Sequence, residues 1–332
     1  MKKYHLYGIG AALVDTEIEV TDADLHQLDV EKGLMTLVDE ARQHFLQDKL
    51  STHLVASKRA SGGSAANTII AASYFGSKTF YSCKVANDAN GDFYLNDLKA
   101  AGVESLYEQD RSAGITGKCL VMITPDAERT MNTFLGISET LSADQVSPDA
   151  IAVSEYLYIE GYLVTSVTGK AAAIKARQIA EKNGVKTAIS LSDPGMVQFF
   201  KPGLMEMIGD GVDLLFCNRD EAFGWSATDN LDDACNALKK VAKAFAITLG
   251  GEGALLFDGA QFIKIAPHPV KAIDTNGAGD MFAGAFLYGI TNGKSFDRAG
   301  LLASKAAAAV VSQYGPRLKP EQHQHLLEFL VN

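Results

Sequence analysis

Short β-rich runs alternate along the chain with longer stretches in which apolar residues recur every three or four positions. Runs at 4–9, 79–85, 156–159, 186–191, 213–217 and 244–249 have the length and the branched or aromatic content of strands. Helical spacing occupies 67–75, 93–101, 167–182, 231–241, 279–291, 296–312 and 320–330. Strand then helix, repeated, predicts an α/β fold: a mostly parallel sheet covered on both faces. Two further runs, 253–257 and 261–265, flank Asp258-Gly259-Ala260 and predict an antiparallel hairpin at the sheet edge.

Two segments, 16–50 and 114–135, fit the alternation less well. The second holds the runs 116–123 and 129–134 around the turn Thr124-Pro125-Asp126-Ala127. Two readings stay open for them: a small lid over the strand ends, or surface elaboration with no gating role. No repeat, low-complexity tract or linker divides the chain, so residues 1–332 are expected to form one domain.

Composition narrows the class. The chain has 332 residues, 47% hydrophobic and 21% charged, which is ordinary for a globular protein. It contains no apolar run long enough to span a membrane. Lys2 and Lys3 are followed too soon by Gly8, Gly10 and Asp15 for a signal-peptide core. Cys83, Cys119, Cys217 and Cys235 are far apart and form no C-x-x-C pair, which predicts free thiols in a reducing cytoplasm. A net charge of −10 weighs against nucleic acid as a partner. It leaves phosphate ligands open, because glycine loops and helix ends bind them without net positive charge.

Three motifs look like chemistry and are read otherwise. Gly8-Ile9-Gly10-Ala11-Ala12-Leu13 starts like a dinucleotide fingerprint but lacks the third glycine. The run from Gly289 to Ser295 resembles a phosphate-binding loop, one residue short, but it ends a helix. His323 and His325 splay apart at i, i+2 on a helix, which predicts a solvated face.

Four clusters remain, and in an open sheet the useful ones follow strands. In Asp274-Thr275-Asn276-Gly277-Ala278-Gly279-Asp280, bare amides lead into an apolar helix. A helix starting near Gly279 aims its free N–H groups and positive dipole end at this loop, forming an anion hole. Asp280, in the first turn, is placed to take a proton from an attacking hydroxyl, with the dipole keeping it ionised and weakening its basicity. The alternative is a glycine turn with a helix-stabilising acid. Gly62-Gly63-Ser64-Ala65-Ala66-Asn67 admits a ligand close to the backbone, with Ser64 and Asn67 either binding hydroxyls or capping a helix. Asp15 suits a vicinal diol, or is a loop acid. Asn218-Arg219-Asp220-Glu221 offers hard oxygens for a magnesium–phosphate unit, or a helix cap. Thr248-Leu249-Gly250-Gly251-Glu252-Gly253 ends a strand in a turn that suits a nucleotide.

In this order, over residues 4 to about 317, the clusters resemble the ribokinase/PfkB-type carbohydrate kinases. The run Asp274–Asp280 looks like the family's D-T-x-G-A-G-D signature, Gly62–Asn67 like its glycine-pair sugar motif, and Asn218-Arg219-Asp220-Glu221 like its N-x-x-E. The resemblance implies a ribokinase-like three-layer α/β/α fold with a small β-rich lid, formed here by 16–50 and 114–135. It implies ATP and Mg2+, with Asp280 as base and Gly277, Ala278 and Gly279 as anion hole. Asp15, Gly63 and Asn67 would hold substrate hydroxyls. Asn218 and Glu221 would serve phosphate and magnesium, and Thr248, Gly250 and Gly253 would lie along the nucleotide. Asp274 would lie near a monovalent cation such as K+, and Arg129 would reach the transferred phosphate from the lid. The insert 16–50 and the tract 62–68 look more like the adenosine kinase branch, with Phe134 and Leu135 as candidate cover for a base. The expected acceptor is the 5′-hydroxyl of adenosine. A free sugar, or a silent nucleoside or sugar sensor, are the alternatives. Relatives include monomers and lid-paired dimers, and both states are open.

Overall fold

The computed structural model describes residues 2–51, 60–106 and 111–331. Its strands are β1 (Tyr4–Ile9), β2 (Leu13–Glu19), β3 (Met35–Leu37), β4 (Ala60–Gly62), β5 (Thr79–Ser82), β6 (Val103–Glu104) and β7 (Thr116–Ile123). They continue with β8 (Arg129–Gly136), β9 (Ser154–Ile159), β10 (Lys186–Ser190), β11 (Val212–Asn218), β12 (Ala242–Thr248), β13 (Ala254–Phe257) and β14 (Phe262–Ile265).

Among the described residues these form a nine-stranded sheet, order β14-β13-β12-β11-β10-β9-β1-β5-β6, and a five-stranded sheet, order β3-β8-β7-β2-β4. The large sheet is parallel from β12 through β6. The predicted hairpin is its antiparallel edge. Strand alternation sends successive side chains into two cores. Leu6, Tyr158, Leu214 and Ala246 face helices that include Ser64–Phe75, Ala278–Thr291 and Phe296–Val311. Tyr7, Ile159, Leu215 and Ile247 face the opposite layer, which includes Val167–Lys182 and Pro194–Ile208. This is the ribokinase-like three-layer α/β/α arrangement. No helix among the described residues is long and apolar enough to cross a membrane.

The smaller sheet exceeds the predicted lid bounds. It begins at Leu13 and recruits Ala60–Gly62 as an edge strand. The segment 16–50 also contributes the helices Asp22–Gln27 and Glu40–Lys49, so it is not purely β. Helix Pro194–Ile208 went unpredicted, because Pro194, Gly195, Pro202 and Gly203 read as breakers. The decoys resolve simply. A Cβ on Gly8 would lie 2.5 Å from Ile69 Cγ1, so that glycine permits close helix–strand packing. Gly289 to Thr291 are the last residues of one helix, Asn292 caps it and Ser295 caps the next, so Gly289–Ser295 is a helix end and a turn. His323 corrects an expectation: it is fully buried against Phe75 instead of facing solvent.

Candidate active site

The inner face of the small sheet and the carboxyl ends of the large one enclose a cavity of ≈ 860 Å3. Strand order in the large sheet reverses between the parallel neighbours β1 and β9, and Ala11 and Glu160, just beyond those strands, lie on the cavity wall. Every sequence-predicted site residue lines this cavity except Asp274 and Phe134, a candidate cover for a base.

Helix Ala278–Thr291 opens at Gly277, whose φ of 75° is left-handed. A Cβ there would fall 2.3 Å from Pro316 O, so glycine is required for both reasons. Ala278 N–H donates to Thr275 O and Met281 N–H to Gly277 O. Among the described residues no backbone acceptor faces the amides of Gly279 and Asp280. A Cβ on Gly279 would meet nothing within 4 Å. That glycine keeps a space clear in front of unpaired donors, as an anion hole requires.

Asp280 stands at the rim of this space. Ser64 Oγ donates to its Oδ1 at 2.6 Å and Asn67 Nδ2 to its Oδ2 at 3.1 Å. Helix Ser64–Phe75 is capped by Gly63 with no side-chain bond, so Ser64 and Asn67 are not caps; they hold the acid. Burial raises the Asp280 carboxyl above its ordinary range, against the opposing pull of Ser64, Asn67 and Arg129. Burial therefore acts in the opposite sense to the weakened basicity expected from the helix dipole.

Gly62 and Gly63 are glycines by close approach. A Cβ on Gly62 would lie 2.0 Å from Asp15 Oδ1, and one on Gly63 would lie 2.3 Å from Ala11 O. Asp15 is buried, and no donor among the described residues reaches it. Burial, then the charge of Glu17, drive its carboxyl well above the usual range. Glu160, which sequence reasoning missed, is fully buried and accepts from Ala11 N–H at 3.2 Å and Ala65 N–H at 2.8 Å. It ties the loop after β1 to the glycine-pair helix. Its place directly after β9 was the only available signal.

Asn218 and Thr248 sit side by side at the ends of β11 and β12. The capping expectation for Asn218 holds, and it lines the cavity as well. Its Oδ1 accepts from Glu221 N–H at 2.8 Å, while Glu221 Oε2 accepts from Asn218 N–H at 3.1 Å. Burial pushes the Glu221 carboxyl up to about 8. Gly250 has open space where a Cβ would be, whereas a Cβ on Gly253 would strike Ile265 O at 2.1 Å. Arg129, at the start of β8, donates to Met131 Sδ at 3.7 Å and lies within electrostatic reach of Tyr162, Asp193 and Asp280. Alternate β8 residues Met131, Thr133 and Leu135 line the cavity, and Phe134 does not. Asp274 lies behind the loop, fully buried, accepting from Asn276 N–H at 2.8 Å and Gly315 N–H at 2.9 Å.

Residues 33–323 match the family described as pfkB family carbohydrate kinase, and the chain belongs to that family. It is therefore a phosphotransferase with an alcohol group as acceptor, and the family implies ATP as donor. Adenosine kinase of Saccharomyces cerevisiae is 27% identical over 335 residues, 95% of this chain and 96% of its own. The adenosine kinase structure from Sinorhizobium meliloti has a TM-score of 0.93 at 33% identity, covering 98% of this chain and 99% of that one. A probable sugar kinase from Rhizobium etli CFN 42 has a TM-score of 0.93 at 31% identity, covering 99% and 100%.

Proposed function

We propose that this chain transfers the γ-phosphoryl group of ATP to a primary hydroxyl on a ribose-like substrate, with adenosine as the favoured acceptor. The observation that carries the reading is Asp280, held by Ser64 and Asn67 beside the cleared amides of Gly279 and Asp280. The acceptor oxygen attacks the γ-phosphorus, the bond to the β,γ-bridging oxygen breaks, the hydroxyl proton passes to Asp280, and ADP leaves. Asp15, buried without a donor, clamps the sugar diol with Gly63 and the Asn67 carbonyl oxygen, which is itself buried and unpartnered. Gly277, Ala278 and Gly279 frame the anion hole, and Arg129 meets the phosphoryl group from the small sheet. Asn218, Thr248, Gly250 and Gly253 run along the donor nucleotide.

The donor set fits magnesium. Glu221 uses one oxygen in its cap and leaves the other without a donor among the described residues. Burial also makes its ionised form dependent on a nearby cation. Glu221, through water, and Asn218 would hold the ion, which when bound neutralises charge on the transferred phosphate. Asp274 and Glu17, the latter pushed up to about 7 by burial and by Asp274, form an acid pair that a monovalent cation such as K+ would relieve.

Leu13, Leu37, Met131 and Leu135 give the cavity an apolar ceiling, which suits a base better than a free sugar. Residues of both segments build the small sheet, and we take it as the lid of a single kinase domain. Four free thiols suit a cytoplasmic setting.

The test is ADP release with Mg–ATP and K+ across nucleosides, pentoses and hexoses. Asp280→Asn is expected to lower kcat by about 10²–10⁴-fold. Turnover on adenosine supports the full reading. Turnover on a free sugar alone keeps the mechanism and removes the substrate. Ligand binding without turnover indicates a sensor and overturns the reading.

A further inference from the structure

The signature loop makes a contact that the phosphotransfer chemistry does not use. Thr275 Oγ1 donates to Ala127 O at 2.9 Å, and Thr275 N–H points to the same oxygen at 3.3 Å. Ala127 belongs to the turn between β7 and β8, 148 positions away in sequence. It is a buried non-glycine residue in the left-handed region, with φ of 66°. The turn around it is braced. Ala127 N–H donates to Thr124 O at 2.8 Å, Thr124 N–H to Glu128 O at 3.0 Å, and Thr124 Oγ1 to Asp126 Oδ1 at 2.6 Å. Lys32 pairs with Asp126 at 2.7 Å. A strained backbone conformation held by this many bonds presents one carbonyl in a fixed direction. That carbonyl is the one Thr275 grips.

Two residues beyond Ala127, Arg129 starts β8 and faces Asp280 from across the cavity. Two residues beyond Thr275, Gly277 opens the anion-hole helix. The contact therefore joins the two halves of the proposed phosphate site, two residues along the chain from Arg129 on one side and from Gly277 on the other. We infer that Thr275 is a positioning residue, a latch that fixes the β7–β8 turn on the anion-hole loop so that Arg129 arrives over the phosphoryl group only when the small sheet is seated. The inference rests on the phosphotransfer reading above. Thr275 is among the cavity-lining residues, and in this role it acts through Ala127 and the turn. Its hydroxyl sets whether the cavity is shut when the γ-phosphorus is attacked, and so whether the acceptor or water is the nucleophile.

The experiment uses the full chain with Thr275→Val, which keeps the branched shape and removes the donor, and Thr275→Ser, which keeps the hydroxyl. Two readouts are taken: amide hydrogen exchange over residues 124–129, and ADP released per phosphorylated acceptor. Thr275→Val is expected to speed exchange in that turn and to raise the ADP-to-product ratio several-fold, and Thr275→Ser to restore both. A simple loss of packing would not be rescued by serine and would not divert phosphate to water. Unchanged exchange in Thr275→Val overturns the latch. Faster exchange with an unchanged ratio overturns its role in coupling. If the wild-type chain phosphorylates no acceptor, the phosphotransfer reading fails, and the exchange comparison still decides the latch. Should Thr275→Val not fold, Thr275→Ala removes the same donor without added bulk and gives the same comparison.

Discussion

Glu221 serves two arrangements with opposite charge demands. As a capping residue it needs only an oxygen to accept the Asn218 N–H. In the magnesium-site role proposed for it, it must be ionised, and burial pushes its carboxyl up to about 8. The unfolded chain ionises it near its ordinary value of 4.5. Below that pH both states hold the proton and the fold loses nothing. As pH rises from about 4.5 toward 8, the unfolded chain gives up the proton and the fold keeps it, so the unliganded fold loses stability. Each unit is worth ~1.4 kcal/mol, which makes the penalty a few kcal/mol above the folded value. Glu221→Gln keeps the acceptor and removes the charge. Thermal melts should match wild type at pH 4 and lie above it at pH 9, and Mg–ATP should stabilise wild type more than the variant. Equal melts at both pH values would remove the buried-charge argument. The same balance explains what the residue types could not disclose. Asp280 and Glu221 were legible as acids at chemically apt spacings. Their charge states were not, because burial comes from elements distant in sequence.

At the scale of the element, the helix Ala278–Thr291 separates two glycines that look alike in the motif. Gly277 holds a left-handed φ and lies against Pro316, so alanine would add strain of about 1–2 kcal/mol and a steric overlap that the backbone must relieve. Gly279 has room for a methyl group, but in the space proposed above for the phosphoryl group. Gly277→Ala should therefore lower the melting temperature or prevent folding. Gly279→Ala should fold with near-native stability and lose on the order of 10²-fold in kcat, the scale of a spoiled oxyanion site. Denaturation and steady-state kinetics on the two variants separate these outcomes, and a destabilised Gly279→Ala would refute the open-cradle account. The helix start was legible because a glycine run met an apolar period. Pro194–Ile208 was hidden, although Asp193 before Pro194 is a start signal: Asp193 Oδ1 caps the helix by accepting from Gly195 N–H at 2.8 Å. Internal Pro202 outweighed it.

At the scale of the molecule, the segment after helix Phe296–Val311 joins parts that the sequence keeps far apart. Gly315 N–H binds Asp274, Pro316 packs on Gly277, and Tyr314 donates its hydroxyl to Glu19 of β2. Arg317 Nη2 meets Asp97 at 2.8 Å and its Nη1 meets Ser61 Oγ at 3.3 Å, beneath the glycine-pair loop. Nothing in the local pattern around residue 317 predicts partners 256 and 220 positions away. Burial would raise Asp97, but Arg317 and Ser61 outweigh it and hold the carboxyl below its usual range. The same guanidinium pulls the Asp15 carboxyl down, against the upward push of its burial. Arg317→Met should then have two separable effects. Stability should fall by about 1–3 kcal/mol, since Asp97 loses its partner in a mostly buried site. The Asp15 carboxyl should rise further, so that at any given pH a smaller share of molecules carries the proposed diol clamp in its charged form. The acid limb of kcat/KM for the acceptor should move to higher pH, with KM increased and kcat at saturation largely kept. Adding Asp97→Asn removes the unpaired acid and should recover the stability while leaving the shifted limb in place. If the double variant also restores the wild-type limb, Arg317 acts on the acceptor site through Asp97 and loop geometry, and its field at Asp15 has no part in binding.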